Sequence, residues 1–346
     1  DLAVSLDHVG PLARCTADVA LTLQVIAGVD PSDPTTLKGP VPKMFRPGAD
    51  WKLLLDEPLS DRLGRPVRIG VDRMYNSTGV CEEVRAGLTA AVETLVAKCG
   101  GTEVPCKMPA GEELEAYLMA WGIICATEAA VAHRGLRTWP ARMKRYGDAF
   151  RHWLEQGDKV SGVEYVCARQ QADECAKTVD AMFTEHELDV LVCPVYAELP
   201  FADDRASNRA ALTSSSARMD IRRGNWGRFS IPFNFSGHPC LTLPSGMTPE
   251  RTGPRLPVAF QLVANREQEE LLCMLGHHYE AAVGRQLTPL VPLCATATVR
   301  AEASGRHNSC AAAPSTPRVR EFLDTKKLQQ ATPGTSMSTW WKWLGK

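Results

Sequence analysis

Between Phe229 and Val263 the sequence reads FSIPFNFSGHPCLTLPSGMTPERTGPRLPVAFQLV, and no other stretch limits the possible folds so tightly. Two short apolar runs, Cys240–Leu243 and Val258–Val263, flank an insert carrying Pro249, Gly253 and Pro254. Runs this short, bounded by Gly and Pro, read as buried strands joined by a hairpin-like connection. Ahead of them Asn234-Phe-Ser-Gly237-His-Pro239 reads as a compact turn. Gly237 supplies a backbone angle that other residues resist, and Pro239 opens a strand without needing a ladder donor. By pattern alone this is a core hairpin.

The hairpin needs a sheet, and the sequence upstream predicts one. Gly64–Asp72 reads as a strand, and Cys81–Cys99 as a helix with Val84, Leu88, Ala91, Val92 and Leu95 on one face. Gly100-Gly101 stops that helix, and Thr102–Val104 begins a second strand. A strand, helix and strand of these lengths form a crossover unit with parallel pairing. Leu188–Pro194 adds a further strand. Thr16, as an N-cap, opens a helix with Asp18 in its first turn, and Gly28 closes it. Glu112–Leu136 and Glu267–Ala282 read as helices, as does Ser161–His186, which carries the capping-box pair Ser161 and Glu164. The fold class predicted is α/β, a mixed central sheet flanked by helices. Lys38–Leu63 is expected to be a connecting loop and Ala197–Arg228 a long polar one. Ala295–Lys346, rich in Ala, Ser, Thr, Pro and Arg, is expected to be a disordered tail with one helical candidate, Val319–Gln329. Its terminal Trp340-Trp341-Lys-Trp343 leaves an anchoring role open.

The remaining composition excludes more than it assigns. A formal net charge of −1 gives no case for nucleic acid as a partner, despite the basic and aromatic mixture over Trp139–Leu154. No stretch reads as a membrane span or signal peptide, so a soluble chain is expected. No two glycines stand at i and i+2, which rules out Gly-x-Gly-x-x-Gly, and no cofactor is implied. The twelve cysteines include no Cys-x-x-Cys pair, so neither a zinc site nor a redox pair is expected. Cys81, Cys99, Cys125, Cys167, Cys175 and Cys273 read as small buried hydrophobes, which points to a reducing cytoplasmic compartment. His133 reads as structural, Ser245 as a turn residue, and Ser214-Ser215-Ser216 as polar loop. Cys240 beside His238 is a weak nucleophile–base candidate.

Four segments carry a resemblance. SLD-x-VGP-x-AR from Ser5, followed by a helix and AG-x-DP-x-DPT, resembles the amidase-signature family nearly residue for residue. ICATEAAVAHRGL around Glu128 and His133, the strand ending at Pro194, and PFNFSGHPCLTLPSGM with LPVAFQLV are similar to it as well. The resemblance implies hydrolysis or transfer of carboxylic amides by a lysine and two serines beside a Gly/Ser loop. In the family these precede the SLD-x-VGP segment, which here begins at Ser5, in a chain that starts at Asp1 rather than methionine. No Gly-Gly-Ser or Gly-Ser-Ser string occurs. The expectation is therefore a C-terminal part of an incomplete amidase-signature fold over residues 1–293, with 294–346 as tail and no catalytic residue to carry over.

Substrate, a small-molecule amide, is expected only if an N-terminal half completes the chain; a non-catalytic binding or scaffold protein is the alternative. The pocket residues implied are Asn234 and Gly237, with Gly227 or Trp226 standing where the transamidating branch has an acidic residue. That departure favours a general amide. Trp139–Leu154 falls where the family has a variable cap. The sequence leaves the oligomeric state open.

Overall fold

The computed structural model describes residues 2–33, 36, 41–46, 48–199, 227–249 and 255–284. Trp226, the Ser214–Ser216 run and the expected tail with its helical candidate lie outside the described residues. The chain divides into two units, 1–287 and 288–346, and every described residue belongs to the first.

Among the described residues five strands form one sheet: β1 (Val67–Val71), β2 (Gly101–Pro105), β3 (Val190–Pro194), β4 (Cys240–Met247) and β5 (Pro257–Ala264), in the order β2-β1-β3-β5-β4. β1 runs parallel to β2 and β3, whereas β5 is antiparallel to both β3 and β4, so the sheet is mixed as predicted. The hairpin holds its register from Cys240↔Val263 to Leu243↔Phe260, then slips between Pro244 and Gly246. A bulge there lets a proline sit inside a strand.

Alternation along the strands sorts the helices onto two faces. Val190, Val192, Phe260 and Leu262 point to one side, with Val67 and Ile69. There they meet Leu88, Val92 and Leu95 of α5 (Glu82–Lys98), and Leu272 and Leu275 of the C-terminal helix Glu269–Ala282. Leu191, Cys193 and Val263 point to the other side, against Cys175, Val179, Met182 and Phe183 of α8 (Gly162–Glu185). α8 starts with the expected capping box, Ser161 and Glu164 each accepting from the other's backbone N–H. α6 (Gly111–Gly135) lies along α8, and α7 (Asp148–Gly157) closes over α6.

Several expectations are corrected. Lys38–Leu63 is not simply loop: a 3-10 turn at Lys43–Phe45 and the short helices α2 (Trp51–Asp56) and α3 (Leu59–Leu63) bury Met44, Phe45, Leu55 and Leu59. The first helix, α1 (Thr16–Ile26), is capped by Cys15 rather than Thr16, and ends at Ala27 rather than Gly28. Thr16 instead packs under Gly276 while its N–H donates to Glu280. Ser245 lies within β4, not in a turn, with its Oγ buried against Gly87 of α5. Among the described residues one helix, α6, is long and apolar enough to cross a membrane by length and composition, at a mean hydropathy of 1.3 with 56% of that window buried. Its apolar residues already serve the core, where Ile124, Cys125 and Ala129 are buried.

Candidate active-site framework

Residues 227–239 form a corner between the end of β3 and the start of β4. The carbonyl of Gly227 accepts from both Ser230 N and Ile231 N, at 3.1 and 2.8 Å, which folds the chain tightly into a helix, α9 (Ile231–Ser236). Pro232 sits in its first turn, where a missing N–H costs nothing. Gly237 ends it in the left-handed region at φ 69°, its N–H donating to the Phe233 carbonyl at 2.9 Å. The expected compact turn is thus a short capped helix, and Gly237 is there for its backbone angle.

Gly227 has a different role. A Cβ added there would meet Ile231 Cδ1 at 2.4 Å, and Ile231 is buried. We expect Gly227→Ala to lower stability by about 1–3 kcal/mol in urea unfolding, because the methyl group overpacks this corner. An unchanged midpoint would show that the corner has slack. An acidic side chain at Gly227 meets the same obstacle.

Buried polar groups stitch the corner to the sheet. Gln261 of β5 donates through Nε2 to the carbonyls of Pro194, at 3.1 Å, and Phe229. The guanidinium of Arg228 donates to the carbonyls of Thr78, at 2.7 Å, and of Tyr75 in the short helix α4 (Arg73–Ser77), and lies over the rings of Tyr75 and Phe229. Burial holds the Tyr75 hydroxyl well above its ordinary pKa, so it stays a neutral donor to the Arg228 carbonyl.

From this corner Asn234 reaches the N-terminal segment. Its Oδ1 is 2.9 Å from Trp121 Nε1 of α6, and its Nδ2 is 3.1 Å from the Leu6 carbonyl. A second attachment lies two turns along α6. There Glu128, 9% exposed, accepts from Ser5 N at 2.9 Å, from Ser5 Oγ at 2.6 Å and from Tyr165 at 2.7 Å. His133 is structural as expected: Nδ1 meets Tyr146 at 2.9 Å, and the rings of Tyr146 and Phe150 stand edge-on to it. Of the predicted pocket residues, the structure brings Asn234 onto Leu6 and His8, uses Gly237 for its backbone angle and keeps Gly227 clear of Ile231.

A serine, a histidine and a carboxylate do come together, though not the pair the sequence offered. Ser236 Oγ lies 2.9 Å from His238 Nδ1, and Asp180 Oδ1 lies 3.7 Å from His238 Nε2. The order resembles a catalytic triad, but Ser236 is 1% exposed and His238 4%. No carbonyl can reach a hydroxyl sealed in this way, and burial pushes His238 down to about 4, which makes it a poor base. Cys240 only touches the His238 carbonyl, at 3.6 Å through Sγ. The hydroxyl of Ser245 has no base beside it among the described residues. A groove of about 750 Å³ between α6 and α8, lined by Ala116, Met119, Ile123, Val163 and Cys167, holds none of these serines and lies apart from Asn234.

The thiols are unequal. Burial raises Cys175 and Cys273 to about 12 and Cys99 and Cys125 to about 11, as small buried hydrophobes should behave. Cys167 departs from that expectation because it is exposed, and Cys81 is half-buried. Iodoacetamide at neutral pH should therefore modify Cys167 well before Cys175 and Cys273, which should stay intact in the folded chain. Equal labelling of all three by peptide mass mapping would contradict this packing.

Such a sheet, with helices on both faces and a polar clamp at one corner, defines a mixed α/β fold. The Amidase family model matches residues 1–273. The AmiD protein of Mycobacterium tuberculosis, described as a putative amidase, is 30% identical over 284 residues, covering 82% of this chain and 53% of that protein. An amidase of Pseudomonas putida is 30% identical over 250 residues, covering 71% and 48%. Among solved structures, a bacterial aryl acylamidase of the amidase-signature enzymes superposes with a TM-score of 0.60 at 19% identity, covering 79% of this chain and 52% of that one. The chain belongs to the amidase-signature family. It spans about half the length of the curated relatives it matches.

Proposed function

We propose that this chain builds the wall and floor of a pocket in a hydrolase of carboxylic amides, and that the lysine and two serines of that chemistry are carried on polypeptide outside these 346 residues. The observation that carries the reading is an uncovered apolar surface on the clamped segment. Val9 is 93% exposed and Leu12 fully so, and Val25 of α1 is 79% exposed. Single exposed apolar residues are ordinary, but Val9 and Leu12 follow directly on residues fixed at two points, and Val25 lies on the next helix. β4 adds an edge strand with Cys240, Thr242 and Met247 exposed. A further layer of polypeptide over both would account for them.

The substrate proposed is a small-molecule amide. Gly227, overpacked by any side chain, supports a general amide over glutamine-dependent transamidation. The sealed Ser236–His238 pair favours a second reading, a non-catalytic binding or scaffold protein. Expressing the chain in frame with its upstream coding sequence separates the two. A serine upstream of Asp1, labelled by a fluorophosphonate and needed for amide turnover, supports the hydrolase; no labelled serine and no turnover supports the scaffold.

A further inference from the structure

The side-chain amide of Asn234 has one orientation that its neighbours allow. Trp121 Nε1 is a donor with no lone pair, so the atom 2.9 Å from it is the amide oxygen. Nδ2 then faces the Leu6 carbonyl at 3.1 Å as a donor. His8 Nδ1 lies 2.7 Å from that same carbonyl, so Nδ1 also carries a hydrogen. The 3.2 Å between Asn234 Nδ2 and His8 Nδ1 is therefore the spacing of two donors sharing one acceptor, not a bond between them. The His8 ring is exposed, and among the described residues its Nε2 has no hydrogen-bond partner.

We infer that Asn234 is a positioning residue: anchored by Trp121, it fixes the Leu6 carbonyl and, through it, holds His8 as the Nδ1–H tautomer with Nε2 presented outward as an acceptor. Glu128 keeps the preceding residue still, so the carbonyl has little freedom to turn away. The Asp7 carboxylate stiffens the turn from the other side, accepting from Leu2 N at 2.7 Å and Ala3 N at 3.3 Å. His8 occupies the open position of the SLD-x-VGP pattern. A histidine's tautomer is set by the bond its other nitrogen makes.

Nitrogen-15 chemical shifts of the histidines in the full chain at pH 8 test this directly. The wild type should show His8 as the Nδ1–H tautomer. Asn234→Leu should shift His8 toward Nε2–H and speed amide exchange at Leu6 and Asp7 about tenfold, the scale of one lost hydrogen bond. Exchange over Val67–Val71 should not change. An Nε2–H tautomer in the wild type, or wild-type behaviour in Asn234→Leu, overturns the inference. If Asn234→Leu also disturbs Val67–Val71, Trp121→Phe decides: loss of the tautomer supports the relay and its retention overturns it. None of these readouts depends on amide turnover, so their failure is distinct from failure of the hydrolase reading.

Discussion

Lowering the pH from 7 to 4 is expected to cost this fold about 3 kcal/mol through one side chain, His238. Burial brings its pKa to about 4 from the 6.5 of an unfolded chain, because the ring sits against Phe183 with little solvent around it. Asp180 on α8 pulls the other way from 3.7 Å, but Arg266 engages that carboxylate and opposes protonation of the ring. The Ser236 hydroxyl is the remaining polar neighbour. A depressed pKa means that the folded state binds fewer protons than the unfolded one. The contribution is therefore complete above pH 6.5, falls between 6.5 and about 4, and is lost below that. Urea unfolding of wild type and His238→Gln at pH 7, 5.5 and 4.5 isolates the effect, since other groups titrate in both proteins. The stability difference should shrink by most of that amount across the series; a difference independent of pH would mean that the ring is charged in the folded protein or solvated.

The second large effect falls where α7 meets α6. A Cβ on Gly157 would lie 2.0 Å from the Ala126 carbonyl oxygen and 2.5 Å from its carbon. Both are backbone atoms in the middle of a 25-residue helix, so no side chain can rotate aside. The close approach seats Leu154 and Trp139 against Ala129 and Ala130. Gly157→Ala must push α7 away and open that cluster, at a cost of about 3 kcal/mol. Thermal unfolding followed by tryptophan fluorescence should show a midpoint lower by roughly 5 °C or more. A melting curve that overlays the wild type would contradict the packing of these helices. Gly157 lies three residues beyond Trp139–Leu154, the stretch for which the family resemblance implied a variable cap.

The sheet was legible in the sequence because its elements are local. The Cys240–Leu243 and Val258–Val263 runs carry their own turn signals, and α5 shows its stripe over about three turns. α2 and α3 were not legible because helices of six and five residues are too short to display a period. Pro232 and Gly237 disguised α9 in the same way, reading as turn punctuation while serving as first-turn and cap residues. The site was harder still. Asn234 could be singled out by its motif, but its partners Leu6 and Trp121 are 228 and 113 residues away. Nothing in the spacing joins Ser5 to Glu128, or Ser236 and His238 to Asp180. The sequence placed His238 beside Cys240, its neighbour along the chain, whereas the fold turns the ring toward Ser236 and α8.

On the reading proposed above, these 346 residues frame an amide pocket without supplying the group that attacks. Purified chain treated with a fluorophosphonate probe, digested and mapped serine by serine, with a panel of amides assayed in parallel, tests it most directly. No labelled serine, Ser236 and Ser245 included, and no turnover above a heat-inactivated sample is the predicted result. A single serine labelled in proportion to amide hydrolysis, and silenced by its alanine variant, would contradict it.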